Sequence, residues 1–241
     1  MPQTSTISRE AIVLRSRTLG ENDLLIDFLT PDLGRLVGRA ANGRLSQKRF
    51  GTVLQPPQIV QVRYKDKHPR VFLEEASLVE PLSQLFHNLE GLLMALYMTD
   101  LVLRFLPEGH ASENDEDAFY GKFKKALRAL NEGKSPPLVC RHFEYHLLQS
   151  AGYKPELEHC LSCGKSWNTV NEENGGSGEN EKFFFVFREG GIFCDECRPF
   201  NEASELLRRE TLHIILGQFI EYQIGRPLKS RQVLSQVETA T

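Results

Sequence analysis

Two pairs of cysteines in the second half of the chain constrain its fold more than any other feature. Cys160 and Cys163 form one C-x-x-C pair, and Cys194 and Cys197 form a second pair after an interval of 30 residues. The two sulfurs of each pair can bind the same metal ion from a tight turn. The two pairs together supply the four sulfur ligands of one tetrahedral zinc site. Because four sulfurs leave no open coordination position, the spacing predicts one structural Zn²⁺ and not a catalytic metal.

The interval between the two pairs is longer than in most zinc ribbons, and its composition explains the excess. The segment NEENGGSGEN, within residues 168–181, predicts a flexible linker, which adds little to the entropy of closing the loop. His159 precedes the first pair and is either an auxiliary ligand or an exposed loop histidine, and we favour the second interpretation. Cys140 lies in an apolar helical stretch, where we expect a small core residue.

Residues 7–80 predict β structure. Strand-length segments are separated by glycine, proline, asparagine or charged breaks, and they read ISREAIVLRSRTL, NDLLIDFLT, LGRLVGRAA, PQIVQVRYK and RVFLEEASLV. Five such strands fit a small barrel of the OB type, although an SH3-like barrel or a small sandwich gives the same pattern. In the fourth segment, alternation predicts that Val60, Val62 and Tyr64 face the core while Arg63 and Lys65 point away.

After Pro81 the apolar period becomes helical. Residues 83–106 predict one long, well-buried helix, and Phe119 to Leu130 predict a second, preceded by an acidic cap at 112–117. A third helix is predicted from Pro137 to Ala151, with these side chains inward: Leu138, Phe143, Leu147 and Leu148. We expect Asn201 to cap a last helix that ends at Gly225.

The sequence therefore predicts an α+β, multi-module protein. Its modules are an N-terminal OB-fold β-barrel (1–80), an all-helical domain (81–155), a four-cysteine zinc-finger insertion (156–200), and a C-terminal helix that packs on the helical domain before a frayed tail (201–241). The longest uninterrupted apolar run, Leu92 to Met98, is far short of the roughly 18–20 residues of a membrane span. With no signal-like N-terminus either, we expect a cytoplasmic protein without a membrane partner.

Charge is distributed unevenly along the chain, whose net charge is −3. Residues 1–73 contain 12 Lys/Arg and 6 Asp/Glu, whereas the remaining residues contain 17 Lys/Arg and 26 Asp/Glu. A basic first module on an acidic body is expected where one end of a protein meets a polyanion.

Cations of the first module are the candidate DNA-binding residues. Arg35 and Arg39 share one face of the predicted third strand, and further cations follow in the loop and on the fourth strand. Such a face can track a phosphate backbone without reading bases. Phe50, beside the basic loop, is a candidate for stacking on bases. The predicted DNA-binding residues are Arg35, Arg39, Arg44, Lys48, Arg49, Arg63 and Lys65.

The order of these features resembles one family in particular. The segments LGENDLLIDFLTPDLGRLVGRAANG and FGTVLQPPQIVQVRY resemble the N-terminal domain of the bacterial recombination mediator RecO family. The segments FEYHLLQSAGYKPELEHCLSCG and GGIFCDEC resemble its helical and zinc regions. The resemblance covers about residues 7–225. Fewer cations follow the GRL segment than is usual in the family.

That resemblance implies an OB-fold, a helical domain and a zinc finger in one chain. It also implies a role in DNA repair and homologous recombination, in which the protein binds single- and double-stranded DNA and anneals complementary strands. With RecR, members of the family help load RecA onto strands coated by single-strand-binding protein (SSB). They also contact the C-terminal tail of SSB. By position, the basic residues from Arg35 to Arg49 match the DNA-binding region and the four paired cysteines match the zinc ligands. A nucleoid-associated location follows.

Two other classes of function compete with this one. A metalloenzyme is disfavoured, since no H-E-x-x-H motif occurs and a site with four sulfurs has no place for water. Gly-Lys-Ser occurs at 133–135 and at 164–166, yet Arg128 and His159 stand where a phosphate-binding loop needs glycine. We therefore expect no enzymatic activity. A protein-interaction scaffold with little intrinsic DNA binding remains the alternative function.

Overall fold

The computed structural model describes residues 6–67, 70–109, 119–167, 182–208 and 212–232. The N-terminal part of the chain forms a closed barrel of five strands. The strands are β1 (Thr6–Leu19), β2 (Asp23–Thr30), β3 (Gly34–Ala40), β4 (Ile59–Lys67) and β5 (Arg70–Glu80). Their order is β1-β2-β3-β5-β4, closed by pairing of β4 with β1. All pairs are antiparallel except β3 with β5, an arrangement that identifies the OB-type barrel among the alternatives.

Side chains alternate across the barrel wall as the sequence predicts. Val60, Val62 and Tyr64 lie in the core, while Arg63 and Lys65 face outward. Phe50 was predicted to stack on bases. That prediction is wrong, because Phe50 is only 1% exposed and belongs to the same core. A bulge at Leu14 shifts the register of β1 against β2 and sets the outward face of the strand beyond it.

The predicted long helix is interrupted. It consists of α1 (Ser83–His87) and α2 (Leu89–Phe105), and Asn88 between them has an extended backbone. The Asn88 side chain accepts a hydrogen bond from the Gly91 amide at 3.0 Å, as an N-cap. Asparagine competes for backbone donors in this way, which explains why an apolar pattern without an internal proline nevertheless breaks there.

Two further helices follow, α3 (Phe119–Asn131) and α4 (Pro136–Ser150). The ring centroids of Phe123 and Phe143 are 5.0 Å apart, and Cys140 is fully buried, as predicted for a core residue. Leu138 was predicted to face inward, but this prediction is wrong, because the side chain is 66% exposed in the first turn of α4.

The described residues form two compact units, one within residues 1–143 plus 229–241 and the other within residues 144–228. The second unit contains a small sheet of order β7-β6-β8 and a helix. Strands β6 (Phe183–Val186) and β7 (Gly191–Cys194) pair antiparallel as a hairpin. The four-module boundaries at 80, 155 and 200 stay predictions.

The last helix does not begin at Asn201 as predicted. Strand β8 (Ser204–Leu206) comes first, and the described part of the helix, α5, is Leu212–Ile224. The Phe219 ring of α5 lies 5.1 Å from that of Phe185 on β6, so α5 packs on the sheet of its own unit. The acidic cap at 112–117, the 168–181 linker and the tail after Leu234 lie outside the described residues. No described helix is both long and apolar enough to cross a membrane.

Candidate metal centre and nucleic-acid interface

Two tight turns carry the four cysteines. After Cys160 the chain reverses, because the Gly164 amide donates to the Cys160 carbonyl at 2.9 Å and Gly164 adopts a φ of 73° that favours glycine. At the second pair, the Cys197 amide donates to the Cys194 carbonyl at 3.1 Å, directly after strand β7. The hairpin of β6 and β7 thus returns the second pair to the first.

All four sulfur atoms lie within 4.8 Å of one another. The Sγ atoms of Cys163 and Cys194 are 3.8 Å apart. This is too long for a disulfide, but two sulfurs bound 2.3 Å from one tetrahedral ion would be separated by about 3.8 Å. The four cysteines therefore fit a metal ion with the coordination geometry of zinc.

The thiols differ in their affinity for protons. Burial raises the pKa of the Cys160 thiol, but hydrogen bonds from the Cys163, Cys194 and Ser162 amides outweigh it and lower that pKa to about 6. Burial raises the pKa of the Cys194 thiol to about 12, with a contribution from its contact with Cys197. Four thiolates so close together repel one another, and a divalent cation compensates that repulsion.

His159 lies on the exposed side of the first turn. Its Nδ1 atom is 3.8 Å from the Glu156 carboxylate, and its side chain is more than half exposed. The Glu156 carboxylate also accepts the His159 amide at 3.0 Å, which stabilises the loop. This geometry supports the interpretation of His159 as a loop residue.

Two of the predicted DNA-binding cations meet at the turn between β1 and β2. The Nε atom of Arg39 donates to Asp23 at 2.6 Å, and Nη1 of Arg44 donates to the Glu21 carbonyl at 2.8 Å. Both side chains stay largely accessible, since Arg39 is about half exposed and Arg44 belongs to the exposed residues. This end of the barrel therefore presents two ordered guanidinium groups to solvent.

The loop after β3 contributes two more predicted cations. Lys48 is exposed and has no ion pair with any described residue. Arg49 is half-buried, donates to the Ala41 carbonyl at 2.6 Å, and has its guanidinium 4.9 Å from the ring centroid of Phe50. Of these two cations, Lys48 is therefore the more accessible to a phosphate.

The remaining predicted cations are engaged by the protein itself. Arg35 is only 16% exposed, and its Nη1 donates to the Leu103 carbonyl near the end of α2 at 3.3 Å. On β4, Arg63 pairs with Glu75 at 3.0 Å and Lys65 pairs with Glu74 at 2.5 Å. The structure thus brings Arg39 and Arg44 together, but directs Arg35 toward α2 and covers β4 with carboxylates.

Sequence reasoning missed a row of side chains that crosses the outer face of the barrel. Register pairs Arg17 of β1 with Leu25 of β2, Leu25 with Arg39 of β3, and Arg39 with Phe72 of β5. We call these four residues the outer row. The period-two alternation of Arg15 and Arg17 in IVLRSRTL was a visible signal, but only strand pairing reveals the partners on other strands.

Three residues of the outer row, Leu25, Arg39 and Phe72, line a groove of about 330 Å³. Its lining combines apolar side chains with two arginines and one carboxylate, namely Leu19, Leu25, Val37, Val71, Phe72, Arg39, Arg70 and Glu108. The Nζ atom of Lys67 lies 5.8 Å from the Phe72 ring centroid. An apolar groove edged by cations can accommodate an unstacked base together with its phosphates.

Comparison with known families accounts for most of the chain. The family described as "Recombination protein O N terminal" matches residues 3–82, and the family described as "Recombination protein O C terminal" matches residues 87–215. Both matches agree with the resemblance drawn from the sequence segments.

Several curated relatives carry the name "DNA repair protein RecO". The protein from Syntrophobacter fumaroxidans is 34% identical over 167 residues, which are 69% of this chain and 65% of that relative, a little under two thirds of its length. The protein from Syntrophus aciditrophicus is 25% identical over 245 residues, covering 100% of this chain and 87% of the relative. That from Geobacter metallireducens is 27% identical, covering 95% and 97%.

Proposed function

The chain belongs to the RecO family of DNA repair proteins, and from this premise we propose that it is a non-enzymatic mediator of DNA repair and homologous recombination. In this proposal it binds single- and double-stranded DNA and anneals complementary strands. With RecR it helps load RecA onto single strands coated by SSB, whose C-terminal tail it contacts. It acts in the cytoplasm, at the nucleoid.

The outer row is the observation that carries the proposal. Cations and apolar side chains alternate across adjacent strands, which lie about 4.8 Å apart. Arg17 and Arg39 contact phosphates in this proposal, while Leu25 and Phe72 contact bases. Sequence-independent binding of single strands requires this combination of charge and stacking surface.

Other predicted cations keep distinct roles in the proposal. Arg44 and Lys48 extend the phosphate track beyond Arg39, because both are exposed. Arg49 supports the loop that carries them. Arg35, Arg63 and Lys65 contribute to the positive potential, with Arg35 held in the structure and the other two paired with glutamates.

Annealing needs no catalytic group. A protein that neutralises phosphates on two strands lowers their mutual repulsion, after which base pairing selects the complement. No covalent bond is made or broken. The proposed activity is therefore stoichiometric assistance, consistent with a site composed of cations and apolar side chains.

A single structural Zn²⁺ completes the proposal. Cys160, Cys163, Cys194 and Cys197 would hold it, and the ion would fix the two turns relative to strands β6 and β7. With four sulfur ligands it would supply folding energy and no Lewis-acid chemistry. We expect one ion per chain.

Binding of a fluorescent single-stranded oligonucleotide as a function of salt tests the DNA-binding part. Affinity should fall steeply from low to physiological salt, because counterions are released on binding. Replacing Arg39, Arg44 and Lys48 together with Ala should weaken binding at least about tenfold at low salt. A control with Lys134, Arg188 and Arg226 replaced by Ala removes the same charge from exposed positions elsewhere and should bind like the unaltered protein.

Annealing of SSB-coated strands, with and without RecR, tests the mediator role. We expect annealing to depend on the protein and to increase with RecR. The pairing of Arg63 and Lys65 with glutamates favours the alternative, an interaction scaffold with little intrinsic DNA binding. A protein that binds RecR or the SSB tail but no oligonucleotide at low salt would support the scaffold and contradict the proposal.

A further inference from the structure

We propose that Arg15 and Arg17 form a clamp for a DNA phosphate and that the buried carboxylate of Asp27 positions both guanidinium groups. The inference rests on the proposed function, since it names the group that the DNA presents to this part of the barrel. None of these three residues is among the DNA-binding residues predicted from the sequence.

Asp27 lies at the centre of the cluster. It is on the outward face of β2, yet only 1% exposed, because cations from both neighbouring strands cover it. The Arg15 Nε atom donates to Oδ2 of Asp27 at 3.1 Å, and Nη2 of Arg15 lies 3.4 Å from Oδ1. The Nη2 atom of Arg17 donates to Oδ2 at 3.1 Å.

Register explains why the two arginines converge on one carboxylate. Arg15 is the cross-strand partner of Asp27, and Arg17 is its diagonal neighbour on the same face. The bulge at Leu14 allows this, because it separates the buried stretch of β1 from the alternating segment that follows. The geometry is therefore a product of long-range strand pairing.

The cluster contains more positive than negative charge. A third guanidinium, that of Arg35, lies with Nη1 at 3.7 Å from Oδ1 of Asp27. Three cations around one carboxylate leave two positive charges unbalanced within the cluster. Such an excess attracts an anion, and a phosphate diester is the anion that DNA supplies.

Arg15 and Arg17 keep most of their donors for such an anion. Each guanidinium has five N–H donors, of which Asp27 takes two from Arg15 and one from Arg17. Both side chains are 44% exposed, so the remaining N–H groups face solvent. Arg35 differs, since it is largely buried and donates to the Leu103 carbonyl, and it acts as the fixed wall of the cluster.

Preorganisation is the contribution of Asp27. A free arginine loses rotamer entropy when it closes on a phosphate, whereas a guanidinium already held at one edge loses less. The clamp adjoins the outer row through Arg17, whose cross-strand partner is Leu25. A strand whose base occupies the groove would therefore place a neighbouring phosphate at the clamp.

The first test replaces both arginines with Gln and measures oligonucleotide binding over a range of salt concentrations. Each phosphate contact to a single strand contributes about 0.7 to the slope of log K against log salt, so the double variant, which loses one clamped phosphate, should lower the magnitude of that slope by about 0.7. Affinity at low salt should fall at least about tenfold. Arg188→Gln with Arg226→Gln is the matched control and should change neither quantity.

Asp27→Asn provides a test in which a charge effect and a positioning effect would change the affinity for DNA in opposite directions. The variant makes the barrel more positive, so charge alone predicts tighter binding to DNA. Loss of the carboxylate weakens the charge-assisted bonds that hold the arginines, so positioning predicts binding weaker by about threefold or more. Asp27→Glu should recover part of the loss, and Glu202→Gln, which frees Arg188, is the matched control.

The outcomes separate this inference from the proposed function. If the unaltered protein binds DNA but the Arg15/Arg17 double variant binds equally well with the same salt slope, the clamp and the phosphate contact of Arg17 are refuted, while the mediator proposal stands on the other cations. Tighter binding by Asp27→Asn would make Asp27 a competitor of phosphate and refute its positioning role. No binding by the unaltered protein would overturn both proposals. Circular dichroism verifies that each variant is folded. If Asp27→Asn does not fold, the double variant of Arg15 and Arg17 tests the clamp on its own.

Discussion

Tyr120 of α3 donates its phenol hydrogen to Oε1 of Glu10 on β1 at 2.8 Å. Lys124, one turn later, reaches the same oxygen at 2.5 Å. Burial raises the pKa of Tyr120 well above its usual value, with a further contribution from Glu10, so the phenol stays a donor. This contact connects the barrel to the helices within one compact unit. Arg128 reinforces it through a two-pronged pair with Glu80 on β5, the shortest contact being 2.7 Å.

Glu10→Gln should destabilise the protein by about 1–2 kcal/mol at neutral pH, because the charge-assisted bond from Lys124 is lost while the neutral acceptor for Tyr120 remains. Chemical denaturation measures the change in the free energy of unfolding. Glu75→Gln is the control, because it removes an exposed carboxylate paired with Arg63 and should cost at most about 0.5 kcal/mol. Equal effects of the two substitutions would contradict the special role of Glu10.

The effect of Glu10→Gln should depend on pH. Burial raises the pKa of Glu10, but hydrogen bonds from Lys124 and Tyr120 together with nearby cations lower it overall. The carboxylate therefore contributes stability above its unfolded pKa of about 4.3 and loses that contribution as the pH falls through its folded value. Denaturation curves of the two proteins should differ at pH 7 and converge as the pH falls below the pKa of Glu10 in the folded protein. A constant difference over that range would refute the assignment.

Removal of the metal should unfold the second unit. Cys163→Ser and Cys194→Ser each remove one ligand, and we expect zinc content to fall from one ion per chain toward zero, together with a lower melting temperature. Elemental analysis and differential scanning calorimetry measure these changes. Cys140→Ala is the matched control, since Cys140 is buried in α4 and is not one of the four clustered cysteines, so its loss should leave the zinc content at one ion.

Phe72→Leu should weaken binding to single-stranded DNA by about 1–3 kcal/mol, because a base loses an aromatic surface on which to stack. Binding to double-stranded DNA should change little, since paired bases do not reach the groove. Fluorescence anisotropy with both substrates measures the contrast. Phe86→Leu is the control, because it makes the same exchange at an exposed position on α1. Equal losses for both substrates would indicate a general defect and contradict stacking.

Asn88→Ala should lower the free energy of unfolding by about 1 kcal/mol, because the first turn of α2 loses its side-chain acceptor for the Gly91 amide. Asn88→Asp retains an acceptor and should cost only a few tenths of a kcal/mol. Thermal melting of the two variants compares them directly. A similar loss for both would show that the cap contributes nothing here.

The barrel strands, α3 and the cysteine cluster could be predicted from the sequence because each follows from local rules. Alternation in IVQVRYK identifies a half-buried strand, and the spacing of Phe119, Phe123 and Leu127 identifies one helical face. The spacing within each C-x-x-C pair alone brings two sulfurs to one metal. The break at Asn88 was missed because a capping side chain can override an apolar pattern.

Strand pairing decided what the local rules could not. Phe50 and Arg35 look exposed in the sequence, yet one is buried in the barrel core and the other is held by the end of α2. Arg17 and Phe72 stand 55 residues apart in the chain, but pairing of four strands aligns them in one row. The sequence alone thus determined which segments form strands, helices and a metal cluster, since periodicity and spacing are local. Only the tertiary structure decided which cations remain accessible, because that depends on partners distant in the chain.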